Sequence, residues 1–260
     1  MEFMLNKTLW NNDIIICPTF DMDWESEDAL KYTLNILDKF GLPATFFVTH
    51  YSKIVFNRIK NKEIHGGIHP NFLKNSIQGK DIDEVINYCT RLLPEANCFR
   101  CHKYYDSDDA IDKLKNIGFK YDSSIYTNLE KKEPFIHKSG LLRFPVFFDD
   151  EAYLLHNNSL NFKEFERRIF KEAGLYVFNF HPMYLSINSP DYQYMKKIKD
   201  TIPKNTWINL TNKELEHLNH KGRGVRSFTL DLFHYIKKKG LKTITLDDAY
   251  NIIITSSNNK

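Results

Sequence analysis

Two carboxylates placed two residues apart, Asp21 and Asp23, follow the apolar run Ile14-Ile15-Ile16-Cys17-Pro18 and precede a helical pattern that begins near Ser26. Side-by-side carboxylates repel, and a bound divalent cation is the usual way to keep both ionised near neutrality. The bland alternative is that one caps the next helix and the other is solvated. Further polar pairs at the same spacing tip the balance toward chemistry: His69 with Asn71, and Arg100 with His102. His181 and the pair Asp149-Asp150 close two more apolar runs. Spacing of two along an extended chain puts both members on one face, so these segment ends would direct their polar groups toward one mouth.

The elements that must position these residues alternate in type. Leu30, Leu34, Ile36, Leu37 and Phe40 recur at helical spacing, and Gly41 followed by Pro43 stops the helix. Residues 44–49 read as a second strand, a short helix starts near Ser52, and 63–72 form a third strand. The cycle continues with a helix at 83–93, an extended segment at 98–102 and a helix at 107–117 stopped by Gly118. Strands are expected at 119–121, 141–148 and 175–181, with an amphipathic helix at 160–173 between the last two. Near the end come a helix at 228–239, a strand at 243–246, a last helix and a polar tail at 256–260. This alternation predicts an α/β fold with a parallel sheet, and seven or eight units predict a distorted or incomplete (β/α) barrel rather than an open Rossmann sheet. No Gly-x-Gly-x-x-Gly or phosphate loop is present. A single domain over 1–260 is expected, with the least regular stretch, 186–224, as a candidate helical insertion over the barrel mouth.

Composition narrows the function classes. A chain of 260 residues with 42% hydrophobic content can bury about three quarters of its extended surface in one core. Its formal net charge of +3 is small and its lysines are scattered, so nucleic acid is not an expected partner. No stretch reaches the length of about 18 apolar residues that a membrane span needs, and residues 1–12 lack signal-peptide features. A soluble cytoplasmic protein is therefore expected. Four cysteines, Cys17, Cys89, Cys98 and Cys101, suit reduced thiols. Cys98-Phe99-Arg100-Cys101-His102 matches the short pattern of covalent haem attachment, but that chemistry needs export. A redox Cys-x-x-Cys would open a helix, and zinc on Cys98 and Cys101 lacks a second ligand pair at finger spacing.

Taken together, these motifs resemble the polysaccharide deacetylase family, the chitooligosaccharide deacetylase homology domain of carbohydrate esterase family 4, over Thr19 to about Tyr250. Thr19-Phe20-Asp21-Met22-Asp23 is similar to the family's first motif with one residue inserted between the carboxylates. The resemblance implies that Asp21 is the general base and Asp23 a metal ligand. Gly67-Ile68-His69-Pro70-Asn71-Phe72 resembles the second motif, with His69 as its first histidine; Leu73 stands where the second would be. Arg100 takes the third motif's role of orienting the base, which suits a planar bidentate donor. Asp149 and Asp150 loosely represent the fourth motif, and His181 the fifth, whose histidine protonates the leaving group.

The resemblance implies a metal-dependent hydrolase that removes an N-acetyl group from a sugar, holding one divalent cation, with zinc expected. Its saccharide substrate would be an intermediate of surface-polysaccharide assembly. Two rival readings are a catalytically silent saccharide-binding barrel, favoured by the missing histidine at Leu73, and a hydrolase of a non-sugar amide. The third metal ligand stays open among His102, His65 and Asn71. His102 is the expected choice, because His65 lies about 13 Å from His69 if the strand is extended and Asn71 is a weak neutral ligand.

Overall fold

The computed structural model describes residues 9–258, so the expectations placed on 1–12 and 256–260 fall partly outside it. In chain order the elements are β1 (Ile14–Asp21), α1 (Glu27–Phe40), β2 (Thr45–Val48), α2 (Lys53–Lys60), β3 (His65–Ile68), α3 (Ile82–Leu92), β4 (Cys98–Phe99), α4 (Asp108–Asn116), β5 (Tyr121–Asp122), β6 (Phe135–Ile136), β7 (Leu142–Arg143) and β8 (Val146–Asp149). There follow α5 (Asp150–Leu155), α6 (Phe162–Glu166), β9 (Gly174–Phe180), α7 (Pro182–Ser186), α8 (Tyr192–Thr201), α9 (Lys204–Trp207), α10 (Asn212–His217), α11 (Val225–Lys239), β10 (Lys242–Thr243) and α12 (Leu246–Asn258). Their ends carry local signals. Ser26, Ser52 and Asp81 accept backbone N–H groups at the starts of α1, α2 and α3, and Gly41 and Gly240 close α1 and α11 in left-handed geometry.

The strands form one ten-stranded sheet in the order β6-β7-β5-β4-β3-β2-β1-β9-β8, with β10 beside β1. Every pairing is parallel except β6 with β7. Only Phe144 and Pro145 separate β7 from β8, which lie near opposite ends of that path. The sheet therefore curls back on itself, and Tyr126 bridges Val146 in parallel across the gap. This is the distorted parallel (β/α) barrel that the alternation of elements predicts.

Alternation along the central strands sorts two cores. Ile15 and Cys17 of β1 join Leu175 and Val177 of β9, Cys98 and Leu142 inside the barrel, over Trp10. Ile16, Phe20, Phe178 and Phe180 point the other way, into a layer with Leu30 and Leu34 of α1 and Phe228 of α11. The inward sequence of β1 thus runs Ile15, Cys17, Thr19, Asp21, apolar at the foot and polar at the mouth. Gly67 of β3 keeps this interior tight: a Cβ there would sit 2.7 Å from Cys98 Sγ and from the Phe47 ring.

Several local expectations change. The run 141–148 is two strands, because Pro145 lacks an N–H and the chain changes partners there, from β5 to β9. The helix expected over 160–173 shrinks to α6, and Phe170 at φ 54° is incompatible with continuation. Extended geometry ends at Asp21 and Phe99, short of Asp23 and His102. All four cysteines are buried and unpaired, and burial pushes the Cys98 thiol up to about 12.

Candidate active site

At the carboxyl ends of the strands the inward polar residues meet in a cleft of about 140 Å³, lined by Asp21, Asp23, His69, His102, Asp149 and His181 among others. Asp21 is the last residue of β1 and only 4% exposed. Its Oδ1 accepts from Arg100 Nη1 at 3.0 Å and its Oδ2 from Asn179 Nδ2 at 2.9 Å. Arg100 follows β4 and is 0% exposed, a charge that needs every donor occupied. Nη1 also donates to Thr19 Oγ1 at 2.8 Å and to Asn179 Oδ1, Nε and Nη2 donate to Ser123 O and Oγ at 2.9 Å, and the guanidinium lies 4.4 Å from the Phe47 ring centre.

Asp23 reaches the same cleft through a turn. Asp23 and Trp24 both have left-handed backbones, at φ 42° and 58°, which costs about 1–3 kcal/mol each outside glycine. The turn is held by the Trp24 N–H on Thr49 Oγ1 at 3.0 Å and by the Glu25 carboxylate, which accepts from the Met183 N–H at 2.6 Å. Expecting Asp21 and Asp23 on one strand face therefore fails on geometry, and the turn brings them together instead. Burial lifts the Glu25 carboxyl well above its usual range.

Around Asp23 the two imidazoles converge. His102 Nδ1 lies 3.0 Å and His69 Nε2 3.2 Å from Asp23 Oδ1, and the two nitrogens are 3.3 Å apart. His69 is fixed by its N–H on the Val48 carbonyl at 2.9 Å and by Gln78 Nε2 on its own carbonyl at 3.1 Å. His102 opens a 3-10 turn rather than extending β4, and its N–H donates to the Pro70 carbonyl at 2.9 Å. Asp23 Oδ1 is nonetheless buried without a hydrogen-bond partner. Burial works against its charge, but His102, His69 and His181 outweigh that and hold the Asp23 carboxyl well below the usual range.

The remaining candidates divide. Asp149 caps α5, its Oδ1 accepting the Ala152 N–H at 2.7 Å, while Oδ2 accepts from Tyr104 at 2.6 Å and Asn179 at 2.9 Å. Asp150 faces His181: its Oδ1 lies 2.6 Å from Nδ1, and its Oδ2 accepts the His181 N–H at 2.9 Å. Burial opposes protonation of His181, but Asp150 foremost, with Asp149 and Asp23, raises it well above the ordinary imidazole range. Asn71 and His65 stay outside this group. Asn71 Oδ1 accepts the Leu73 N–H at 3.0 Å beside a separate groove, and His65 sits at the other end of β3, 3.7 Å from Asp247.

Sequence reasoning missed two site residues. Asn179 ties Asp21, Arg100 and Asp149 together; it precedes His181 by two, the same spacing that marks the other pairs. Glu151 rides the first turn of α5 into the cleft wall, with Oε1 2.8 Å from Lys103 Nζ and Oε2 3.9 Å from His181 Nε2. Burial opposes its charge, yet Lys199, His181 and Lys103 bring it down to about 2. Before Asp150 is placed, nothing in the sequence distinguishes Glu151 from a solvated helix-start acid.

The profile of the family described as WbmS-like polysaccharide deacetylase matches residues 18–199. Among solved structures, a Bordetella bronchiseptica protein described as a polysaccharide deacetylase involved in O-antigen biosynthesis is 21% identical, over 87% of this chain and 91% of its own, with a TM-score of 0.74. A Mycobacterium smegmatis protein described as a polysaccharide deacetylase is 17% identical over 90% of this chain and 94% of its own, at a TM-score of 0.47. A family 4 acetyl xylan esterase from Clostridium thermocellum, in complex with a cobalt ion, is 13% identical over 92% and 91%, at 0.45. A search of curated protein sequences finds no match. The profile spans the strand ends from Thr19 to His181, and the chain belongs to the WbmS-like polysaccharide deacetylase family, hydrolases that remove acetyl groups from saccharides.

Proposed function

We propose that the protein removes the N-acetyl group of an amino sugar in an intermediate of surface-polysaccharide assembly, with one divalent cation held by Asp23, His69 and His102. The observation that carries this reading is Asp23 Oδ1, buried and without a hydrogen-bond partner while two imidazole nitrogens lie 3.0 and 3.2 Å away. Ligands about 2.0–2.2 Å from a tetrahedral zinc stand about 3.3–3.5 Å apart, and the three separations of 3.0, 3.2 and 3.3 Å come close to that. A carboxylate with two imidazoles suits catalytic zinc, and manganese, cobalt or nickel accept the same donors. When bound, the cation would polarise the acyl oxygen and make a water more acidic.

The chain's own residues supply the proton transfers. Asp21, clamped on both oxygens by Arg100 and Asn179, takes a proton from the attacking water. His181 donates Nδ1–H to Asp150, which leaves Nε2 facing the cleft to give its proton to the departing amine. The raised affinity of His181 for a proton favours that role. Leu73, whose lack of an imidazole favoured a silent barrel, is 41% exposed, and the nearness of His102 to Asp23, 3.0 Å, supports His102 as the third ligand instead. Four buried, unpaired cysteines accord with a reducing compartment, and so with a cytoplasmic substrate. No described helix is long and apolar enough to cross a membrane.

Acetate release from a panel of N-acetyl sugars tests the activity, and His181→Ala tests the mechanism. That variant should lose about a hundred- to ten-thousandfold on an amide and much less on an activated phenyl ester, whose leaving group needs no proton. Equal losses on both substrates would contradict the acid role.

A further inference from the structure

Asp23 presents its two oxygens to two different sets of neighbours. Oδ1 faces His69 and His102, while Oδ2 lies 3.7 Å from His181 Nε2. Glu151 is divided in the same way. Its Oε1 belongs to the lysines, 2.8 Å from Lys103 Nζ and 3.9 Å from Lys199 Nζ, which leaves Oε2 facing His181 Nε2 at 3.9 Å. One donor atom each from Asp23, Glu151 and His181 lies within 4.8 Å of the others. Asp150 holds Nδ1 of that imidazole, the orienting carboxylate that metal-binding histidines generally have, so Nε2 is aimed at both carboxylates.

We propose that Asp23 Oδ2, Glu151 Oε2 and His181 Nε2 form a second, weaker divalent-cation site, bridged to the first by the Asp23 carboxylate, and that filling it inhibits the enzyme. The inhibitory half rests on the role of His181 given above: a cation on Nε2 occupies the lone pair that must carry the proton for the leaving amine. Paired cations are a common arrangement in hydrolases. A cation binding there must first displace the Nε2 proton to solvent, and the second site is weaker for two further reasons. Its donor separations, 3.7 and 3.9 Å, are wider than the 3.0 to 3.3 Å around Asp23 Oδ1, so side chains must close in on binding. Lys103 and Lys199 also place positive charge beside Glu151. Metal at limiting concentration fills the first site and supports turnover, while excess metal reaches the second and stops it.

The test is a manganese(II) titration of the metal-stripped protein by equilibrium dialysis, with wild type beside Glu151→Gln. Two classes of site are expected in wild type, and the weaker should be lost or weakened at least about tenfold in the variant, since removing even a group that only orients a metal ligand costs about ten- to a hundredfold. A single class in wild type up to millimolar manganese, or an unchanged weak class in Glu151→Gln, overturns the site. Electron paramagnetic resonance of manganese-saturated wild type, which needs no variant to fold, should show a spin-coupled pair, and isolated ions alone would also overturn it. Acetate release should rise and then fall with added metal in wild type and reach a plateau in Glu151→Gln. A wild-type plateau overturns the inhibitory role. Absence of acetate release at every metal concentration would sink the deacetylase reading while the dialysis still decides the second site.

Discussion

The two ends of β3 each carry a histidine beside an aspartate, and the two clusters do opposite things. At the foot, Asp247 Oδ1 accepts from Asn97 Nδ2 at 2.8 Å and from the Tyr121 hydroxyl at 3.4 Å, Oδ2 accepts from Asn251 at 3.1 Å, and His65 Nε2 lies 3.7 Å away. At the mouth, Asp23 Oδ1 has imidazoles at 3.0 and 3.2 Å and no hydrogen bond. Orphan histidine nitrogens do not separate the two, since Nδ1 of both His65 and His69 is buried without a partner. The carboxylate does. Buried polar groups that satisfy one another brace a structure, here by tying α12 to the barrel, whereas a buried carboxylate oxygen left unsatisfied beside two imidazoles marks a place where something else completes it.

The sharpest way to break this contrast is to neutralise one acid at each end. Asp21→Asn should lower acetate release about a hundred- to ten-thousandfold, because the amide keeps the shape and loses the basic oxygen. Its metal content, measured by mass spectrometry, should stay as in wild type. Asp247→Asn should leave the rate within about twofold. A comparable loss in Asp247→Asn would mean that the foot acts on the chemistry and that hydrogen-bond satisfaction is no guide.

Metal affinity sharpens the same comparison within the histidines. His102→Ala should weaken zinc binding by more than about a hundredfold, above what loss of an orienting group costs. His65→Ala and Asn71→Ala should bind as wild type does. Full affinity in His102→Ala alongside a loss in either of the others would reassign the third ligand.

The reach of sequence follows from which contacts are local. Asp21 and His181 were legible because β1 and β9 are buried strands whose period of two runs to their ends. His102 was the expected neighbour of Asp23 and His69, but by elimination of His65 and Asn71; what positions it, the pairing of β3 with β4, Ile68 opposite Phe99, and the bond from the His102 N–H to Pro70, could not be read from the sequence. Asp149 and Asp150 looked equivalent, yet one caps a helix and the other holds His181, a division decided by where α5 begins. The parallel barrel was readable from alternation alone. Its closure was not, because an apolar run does not tell where Pro145 hands the chain from β5 to β9.

Stability offers a smaller contrast. Asp247→Ala would strip the acceptor from Asn97, Tyr121 and Asn251 at once. Leaving part-buried donors unsatisfied costs about 1–3 kcal/mol, which chemical denaturation should detect with catalysis unaffected. Unchanged stability would remove the bracing role.

The smallest effect tests the charge state of His65 in that brace. Burial pulls its pKa below the ordinary imidazole value, against Asp247 and Asp248, which pull it up. In the unfolded chain the group titrates near about 6.5. Between its folded pKa and that value the unfolded chain binds more protons, so its contribution to stability rises with pH across this window. The contribution is complete above about pH 6.5 and declines as the pH falls toward the folded pKa. His65→Ala should therefore destabilise the protein more at pH 7.5 than at pH 5.5 in denaturation curves. The opposite trend, a cost that grows on acidification, would mean that a protonated His65 paired with Asp247 outweighs burial, and that the foot of the barrel is held by an ion pair.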